Sequence, residues 1–426
     1  MTFPVSAALL LGALGAPLFV VILLIAIVGF MAQNVDLAIL PLELMRIADT
    51  SLLVAIPFFT YAGYVLSASN TSTRLLNLVQ SLLGWMPGGL AIVGLIACAF
   101  FTALTGASGV TIVALGALFL PSLIKNGYNE KFSLGLVTSG GSLGLLLPPA
   151  LPLILYGVIA QQIEASQGMV SIQDLFIAGV APSALMIVLL GLYTMWDTRK
   201  EKIKKQPFKI KTFYNALNAA KWELPLPVVV LGGIFSGWFA VSETAAITVV
   251  YVIAVETFIY REVSFKVLYE KAIEAMRMVG AILIILAASL ALTNMMVDAQ
   301  IPQKIFAMAQ SMIESKIAFL LVLNVVLLLL GAILDIFSAL VIVVPIILPV
   351  AMSYGIDPVH LGIIFLANLQ IGYLTPPVGM NLFISSLRFN TPITQVYKAA
   401  LPFGLVLLAA LGIITYWEGL SLFLIR

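Results

Sequence analysis

Two stretches of this chain set backbone oxygens, amides and hydroxyls where an apolar helix would otherwise run. The first is Ser139-Gly140-Gly141-Ser142-Leu143-Gly144-Leu145-Leu146-Leu147-Pro148-Pro149-Ala150, and the second is Ala367-Asn368-Leu369-Gln370-Ile371-Gly372-Tyr373-Leu374-Thr375-Pro376-Pro377. Their offset is constant, since 376 − 148 = 228 and 372 − 144 = 228. Proline lacks an amide donor and drives the residue before it out of the helical region, so each helix must break at its tandem prolines. Hydrocarbon offers no water to the carbonyls left free, and such a break persists only inside protein or along a cavity. The chemistry open to these residues is reversible coordination of an ion or a polar solute by oxygens and amides.

The elements that position them are membrane helices. The chain has 426 residues, 62% hydrophobic and 9% charged, with a mean hydropathy of +1.14. A soluble protein carries roughly a quarter charged residues. Apolar runs of about 18 residues or more, each able to cross a bilayer, recur along the whole length. A net charge of +2 says little about partners; the hydropathy makes the lipid bilayer one, and no nucleic acid is expected. One cysteine, Cys98, excludes an intrachain disulfide and a cysteine-rich metal site, and one histidine, His360, leaves no imidazole cluster.

Ahead of each break lies a second device. Gly88–Leu104 and Val110–Leu123 are short apolar arms around Thr105-Gly106-Ala107-Ser108-Gly109, and Ile317–Leu334 and Ser338–Val350 repeat the pattern around Asp335-Ile336-Phe337. Each pair reads as a re-entrant hairpin. Interfacial helices are expected over Asn70–Trp85 and Pro302–Ser315, a helix over Ser51–Ser67, spans over Leu175–Trp196 and Val279–Val297, apolar runs over Leu224–Ser236 and Thr244–Tyr260, and a final span over Ala399–Leu424. Periodicity in Val5–Phe30 allows one long tilted helix or two hinged at Gly15-Ala16-Pro17, and the repeat offset favours two. The chain then divides into scaffold and arm (1–87), hairpin and broken helix (88–161), connecting span and basic loop (162–223), a second scaffold and arm (224–316), a second hairpin and broken helix (317–387) and a final span (388–426).

Charge orients the repeats. With the basic Asp197–Glu223 loop in the cytoplasm, counting crossings puts Lys125, Lys131, Arg261–Arg277 and Arg388–Lys398 on the same side. Of 21 basic residues, only Arg46, Lys304, Lys316 and Arg426 fall outside, which matches the positive-inside bias. The hairpins then enter from opposite faces, and the fold class is an all-α polytopic membrane protein built from two inverted repeats. Matched broken helices in inverted halves point to a transporter with its site near the bilayer midplane.

The residues resemble the large membrane subunit of the tripartite ATP-independent periplasmic (TRAP) transporters over essentially the whole chain. The carrying stretches are Ile371-Gly372-Tyr373-Leu374-Thr375-Pro376-Pro377-Val378-Gly379-Met380-Asn381-Leu382-Phe383, the Thr105–Gly109 tip, and Gly233-Ile234-Phe235 with Ser242-Glu243-Thr244-Ala245-Ala246. Where that family often has Thr-Pro-Thr-Glu, this chain has Ala240-Val241-Ser242-Glu243. The resemblance implies an elevator-type, sodium-coupled importer of an organic acid in the bacterial inner membrane, not an enzyme, working with a small membrane subunit and a periplasmic substrate-binding protein. In such an elevator, 88–161 plus 317–387 would slide against the remaining helices.

Within that reading, sodium (Na+) is expected at Thr105, Gly106, Ser108, Ser139 and Gly141 in one cluster, and at Asp335, Ser338, Gly372 and Thr375 in the other. The carboxylate substrate is expected against Ser108, Gly140, Ser142, Asn368, Gln370, Pro148 and Pro376. Small residues also serve helix packing, and Asp335 reads equally as a proton site or as a helix cap. His360 is expected to be an interfacial residue, and Glu256 to snorkel or to face the small subunit. Two other classes compete. An intramembrane serine hydrolase would pair Ser108, in Gly106-Ala107-Ser108-Gly109, with His360. A passive channel would keep the re-entrant tips without a response to a sodium gradient.

Overall fold

Apolar runs in hydrocarbon must satisfy their backbone internally, and every regular element among the described residues is helical. The computed structural model describes residues 10–11, 15–46, 51–86, 88–163, 170–200, 209–313 and 315–425. Parts of the Val5–Phe30 run, the turn after Gln161 and the basic loop therefore lie outside the described residues.

The first half comprises α1 (Leu18–Ala32), α2 (Ile39–Arg46), α3 (Ala55–Ser67), α4 (Thr71–Leu83), the hairpin α5 (Gly89–Thr105) and α6 (Ser108–Lys125), the broken pair α7 (Glu130–Gly140) and α8 (Leu151–Gln162), and α9 (Ile172–Asp197). After α10 (Ile210–Ala219) come α11 (Pro225–Phe235), α12 (Val241–Ala254), α13 (Phe265–Asp298) and α14 (Ile301–Met312). The hairpin α15 (Lys316–Ile333) and α16 (Ile336–Ser353), the broken pair α17 (Pro358–Gly372) and α18 (Met380–Arg388), α19 (Ile393–Tyr416) and α20 (Gly419–Leu422) complete the order. Among the described residues, eight helical stretches are long and apolar enough to cross a membrane. Both breaks fall at the prolines, with a 3₁₀ turn over Leu143–Leu146 in the first and cis peptide bonds at Pro148-Pro149 and Pro376-Pro377.

Several boundaries differ from the sequence expectation. α13 starts at Phe265 rather than near Val279, because Lys266, Glu270, Lys271, Glu274 and Arg277 continue one helix beyond its apolar part. These are good helix formers, and Lys271 and Glu274 pair at 2.7 Å. Helices α2 and α10 occupy stretches read as polar connections. α19 begins at Ile393 and stops at Trp417, where φ −112° and ψ 80° leave the helical region.

Hydrogen bonds between the two broken helices fix their relative direction. Thr138 Oγ1 donates to Ser385 Oγ (2.9 Å), Ser142 Oγ to the Gln370 carbonyl (3.4 Å) and Tyr156 OH to the Pro358 carbonyl (2.6 Å). As one chain ascends from 138 to 156, its partner descends from 385 to 358, so equivalent elements lie antiparallel. Ser142 and Gln370 are themselves 228 positions apart, so each touches its own counterpart and the pseudo-two-fold axis runs between them. The packing obeys the same exchange: α1 lies on α13 as α12 lies on α3, and α8 on α16 as α18 on α6. The repeats are inverted.

Each break is seated by one close approach. A Cβ at Gly144 would run into the Ala99 carbonyl of α5, and one at Gly372 would stand 2.6 Å from the Gly331 Cα of α15. Only glycine lets either break lie against the first arm of its own hairpin. Helices α1, α3 and α11–α13 form one packed group. Helices α9 and α19 have the broken helices and each other as principal neighbours.

Candidate functional site

The site grows from the first hairpin tip. α5 ends at Gly106, whose amide reaches the Thr102 carbonyl at 2.7 Å and whose φ of +67° is left-handed. Ala107 is extended, and Ser108 opens α6 with no side-chain cap. The Thr105 hydroxyl bonds back to Phe101 (2.9 Å), while Thr102 Oγ1 donates to the Gly141 carbonyl (2.8 Å). A Cβ on Gly141 would stand 3.4 Å from the Ser108 carbonyl oxygen. Ser108 and Thr102 are thus brought against Gly141, whereas a Cβ on Gly106 would meet Leu151 and Thr105 lies against Gly63 of α3. Ser139 is fully buried and its hydroxyl has no partner, whereas Gly140 faces Cys98 of α5. Pro148 is buried beyond the 3₁₀ turn.

The second tip is built differently. Asp335 caps α16, its carboxylate accepting the amides of Phe337 (3.2 Å) and Ser338 (3.1 Å). The Ile336 amide donates to Tyr373 OH (2.7 Å), which ties the tip to the second break beside Gly372. Thr375 bonds its own helix at Ile371 (3.1 Å), and Pro376 is exposed. Asn368 and Gln370 do not join this tip. Asn368 Nδ2 donates to Asn324 Oδ1 (2.7 Å) and the Ile364 carbonyl (2.8 Å), and Gln370 Nε2 lies 3.4 Å from Met186 Sδ. The Gln370 carbonyl instead meets Ser142, at the crossing of the breaks.

Buried acceptors left open mark that crossing. Among the described residues, the buried side-chain amide oxygens without a hydrogen-bond partner are those of Gln162, Asn368, Gln370 and Asn381, and the last three belong to the second broken segment. Those three residues are 0% exposed. A buried oxygen without a donor carries a desolvation cost of about 1–3 kcal/mol that a bound cation would relieve. Asn381 is missing from the residues proposed from sequence, although it stands in the Thr375–Phe383 run. Its Nδ2 donates to the Thr138 carbonyl (3.3 Å), a partner 243 positions away. Thr138 and Ser385, hydrogen-bonded and buried beside it, were missed with it.

Two expectations are corrected. His360 is buried, not interfacial, because its ring nitrogens find Ser421 Oγ (3.1 Å) and the Thr415 carbonyl (3.3 Å). It stands ten residues before Gln370 on α17 (370 − 360 = 10), about 15 Å at helical rise, and Ser108 is not among its partners. The Ser108–His360 pair does not form. Glu256 neither snorkels nor faces outward; it is fully buried against Arg74 (3.2 Å). Between α3 and α13 on one side and α6 and α18 on the other lies a cleft of about 390 Å3, lined by Tyr64, Ser67, Gly109, Val110, Lys271 and Ile384.

The chain matches known proteins along nearly its whole length. Residues 5–420 match the family model described as tripartite ATP-independent periplasmic transporter, DctM component. The chain is 37% identical over 391 residues to the isethionate TRAP transporter permease protein DctMQ of Oleidesulfovibrio alaskensis, covering 90% of this chain and 60% of that protein. It is 34% identical to the C4-dicarboxylate TRAP transporter large permease protein DctM of Pseudomonas aeruginosa, covering 90% of this chain and 88% of that one. The crystal structure of the Alcanivorax borkumensis YdaH transporter superposes with a TM-score of 0.60 at 16% identity, over 88% of this chain and 89% of that one. With its inverted repeats, paired hairpins and proline-broken helices, this chain belongs to the DctM family, the large membrane permeases of tripartite ATP-independent periplasmic transporters.

Proposed function

We propose that the chain imports a small organic anion, coupled to sodium, after delivery by a periplasmic binding protein. The observation that carries this reading is the set of open amide oxygens of Asn368, Gln370 and Asn381, with Ser139 Oγ, on two broken helices that cross antiparallel. Neutral oxygens suit a weakly bound alkali cation better than an anion, and neither break (139–150 and 367–383) carries a lysine or arginine. A sodium ion in the first cluster (Thr105, Gly106, Ser108, Ser139, Gly141) and one in the second (Asp335, Ser338, Gly372, Thr375), with the open oxygens of Asn368, Gln370 and Asn381 as further sodium ligands, would supply the counter-charge that the anion needs. Taking the anion through low dielectric without that charge is costly, which makes the two cargoes interdependent. The named relatives carry isethionate and C4-dicarboxylates, all anions. The cleft of about 390 Å3 falls in the range for a small-molecule site.

The motion that fits is an elevator. The moving body would comprise α5–α9 and α15–α20, larger than 88–161 plus 317–387, because α9 and α19 pack on the broken helices. The frame would be α1, α3 and α11–α13, with α4 and α14 as connecting arms. A small membrane subunit completes the frame in this reading, and the isethionate relative is longer than this chain. The test is uptake of radiolabelled isethionate and succinate into proteoliposomes holding the chain, its small subunit and candidate binding proteins. Uptake should need an inward sodium gradient and a binding protein; uptake indifferent to that gradient would favour the channel reading.

A further inference from the structure

Outside the broken helices, the most elaborate polar structure is an ion knot at the start of α4. Arg74, on a helix whose sequence reads as interfacial, is only 9% exposed. Its Nε donates to Glu223 Oε1, its Nη2 to Glu256 Oε2 (3.2 Å) and its Nη1 to Glu262 Oε1 (2.5 Å). The guanidinium lies 3.8 Å over the Tyr260 ring, and Tyr260 OH donates to Glu223 Oε2 (2.8 Å). Thr71 Oγ1 donates to Glu256 (2.9 Å), and the Asn70 amide donates to Glu262 (2.8 Å).

All three carboxylates come from the frame. Glu223 stands just before α11, Glu256 in a π-helical turn over Val255–Ile259 after α12, and Glu262 in the connection to α13. Such a turn displaces the backbone ladder and frees a carbonyl. The Glu256 carbonyl accepts the amides of Glu262 (2.9 Å) and Val263 (3.3 Å), so the chain folds back and brings Glu262 to Arg74. A guanidinium pulled from this site would leave buried carboxylates uncompensated.

The rest of α4 is held loosely against the cytoplasmic loop. Asn77, Gln80 and Ser81 face Thr212 and Asn215 of α10 across a groove of about 460 Å3. Ser81 turns its hydroxyl back on Leu78, and among the described residues no hydrogen bond crosses the groove. Beyond Leu83, Gly84 caps the helix and Gly88, with φ +68°, begins the hairpin. The other arm lacks the device. The position equivalent to Arg74 is Pro302 (74 + 228 = 302), and among the described residues Lys304 bonds the nearby Ala299 carbonyl (2.9 Å) and no carboxylate.

We propose that Arg74 is the pivot of the moving arm, holding the first turn of α4 to the frame while the far end of the helix moves with the first hairpin. The pivot rests on the reading that the body moves against the frame. Arg74 is a positioning residue, since it touches neither cargo site.

Spin labels on the reconstituted full chain test it with sodium as the only ligand. One label stands at Lys266 on the frame, paired in turn with labels at Asn70, at Leu82 and at Lys131 on the moving body. Between sodium-free and sodium-loaded protein, the expected result is an unchanged distance to Asn70, a clear shift at Leu82 and the largest shift at Lys131. A shift at Asn70 equal to that at Leu82, or a fixed Leu82 while Lys131 moves, overturns the pivot and leaves the motion standing. Three fixed distances overturn the motion and the pivot with it. Arg74→Gln should broaden the Asn70 distribution, and Arg74→Lys should restore much of its width. If Arg74→Gln does not fold, Glu262→Gln provides the same reading, and an unchanged Asn70 width in the folded variant counts against the pivot.

Discussion

An amide oxygen buried without a donor needs an occupant, and Gln370 and Asn381 each carry one in the second broken segment. In the proposed reading, replacing either by alanine removes one sodium ligand and leaves the acceptor of its side-chain NH2, Met186 Sδ for Gln370 or the Thr138 carbonyl for Asn381, without that donor. Losing one such contact costs about 1–3 kcal/mol, or roughly tenfold in affinity per 1.4 kcal/mol. The half-saturating sodium concentration for uptake should therefore rise about tenfold in Gln370→Ala and Asn381→Ala, and unchanged values would remove these residues from the site. His360 belongs to a different class. Its partners, Ser421 and Thr415, join α17 to the C-terminal helices. His360→Ala should keep sodium-driven uptake while lowering stability by about 1–3 kcal/mol, read as an earlier thermal unfolding midpoint in detergent. Loss of uptake without loss of stability would reopen a chemical role for the imidazole. Asn381 stayed hidden in the sequence because its partner is 243 positions distant. No local pattern tells a packed asparagine from a coordinating one.

At the scale of the element, the breaks depend on glycines that admit backbone against backbone. Gly372→Ala forces its methyl to within 2.6 Å of the Gly331 Cα. Overpacking of this kind costs about 1–3 kcal/mol, so the variant should unfold earlier, and its sodium response should weaken because the second tip is displaced. A variant with wild-type stability and coupling would mean that the approach is not required. The ion knot answers to pH. Burial raises the pKa of Glu262, but hydrogen bonds from Asn70 and the charge of Arg74 outweigh it and hold the carboxyl below its ordinary value of 4.5. The stabilisation is complete above that value and is lost as pH falls through the lower folded one. Amide exchange in the first turns of α4, corrected for its intrinsic pH dependence, should stay slow down to about pH 4.5 and then accelerate. Glu262→Gln should flatten that profile. The breaks and hairpins were legible because Gly and Pro act on their own backbone. The knot was not, because Arg74 meets Glu223, Glu256 and Glu262 across 149, 182 and 188 positions. Without those partners, α4 reads as one more amphipathic surface helix.

For the whole molecule, inversion follows from antiparallel equivalents, while orientation in the bilayer rests on charge. The repeat was readable because its punctuation stayed in register over 228 positions, yet its contacts were not, since several of its largest helix–helix interfaces join one half to the other. Lys125 and Ser353 make the decisive pair. They are equivalent (353 − 125 = 228), both are exposed, and each ends the second arm of its hairpin. Inverted repeats put them on opposite faces, and the bias of Lys and Arg toward the cytoplasm assigns Lys125 to the inside. Cysteines introduced singly at the two positions report this directly, because the native Cys98 is buried. A membrane-impermeant maleimide should label Ser353→Cys in right-side-out spheroplasts and Lys125→Cys only in inside-out vesicles. Labelling of both from one face would break the inverted architecture. Exchange of the two results would keep it but turn the protein over, moving the basic loop and the docking face for a periplasmic partner to the wrong sides.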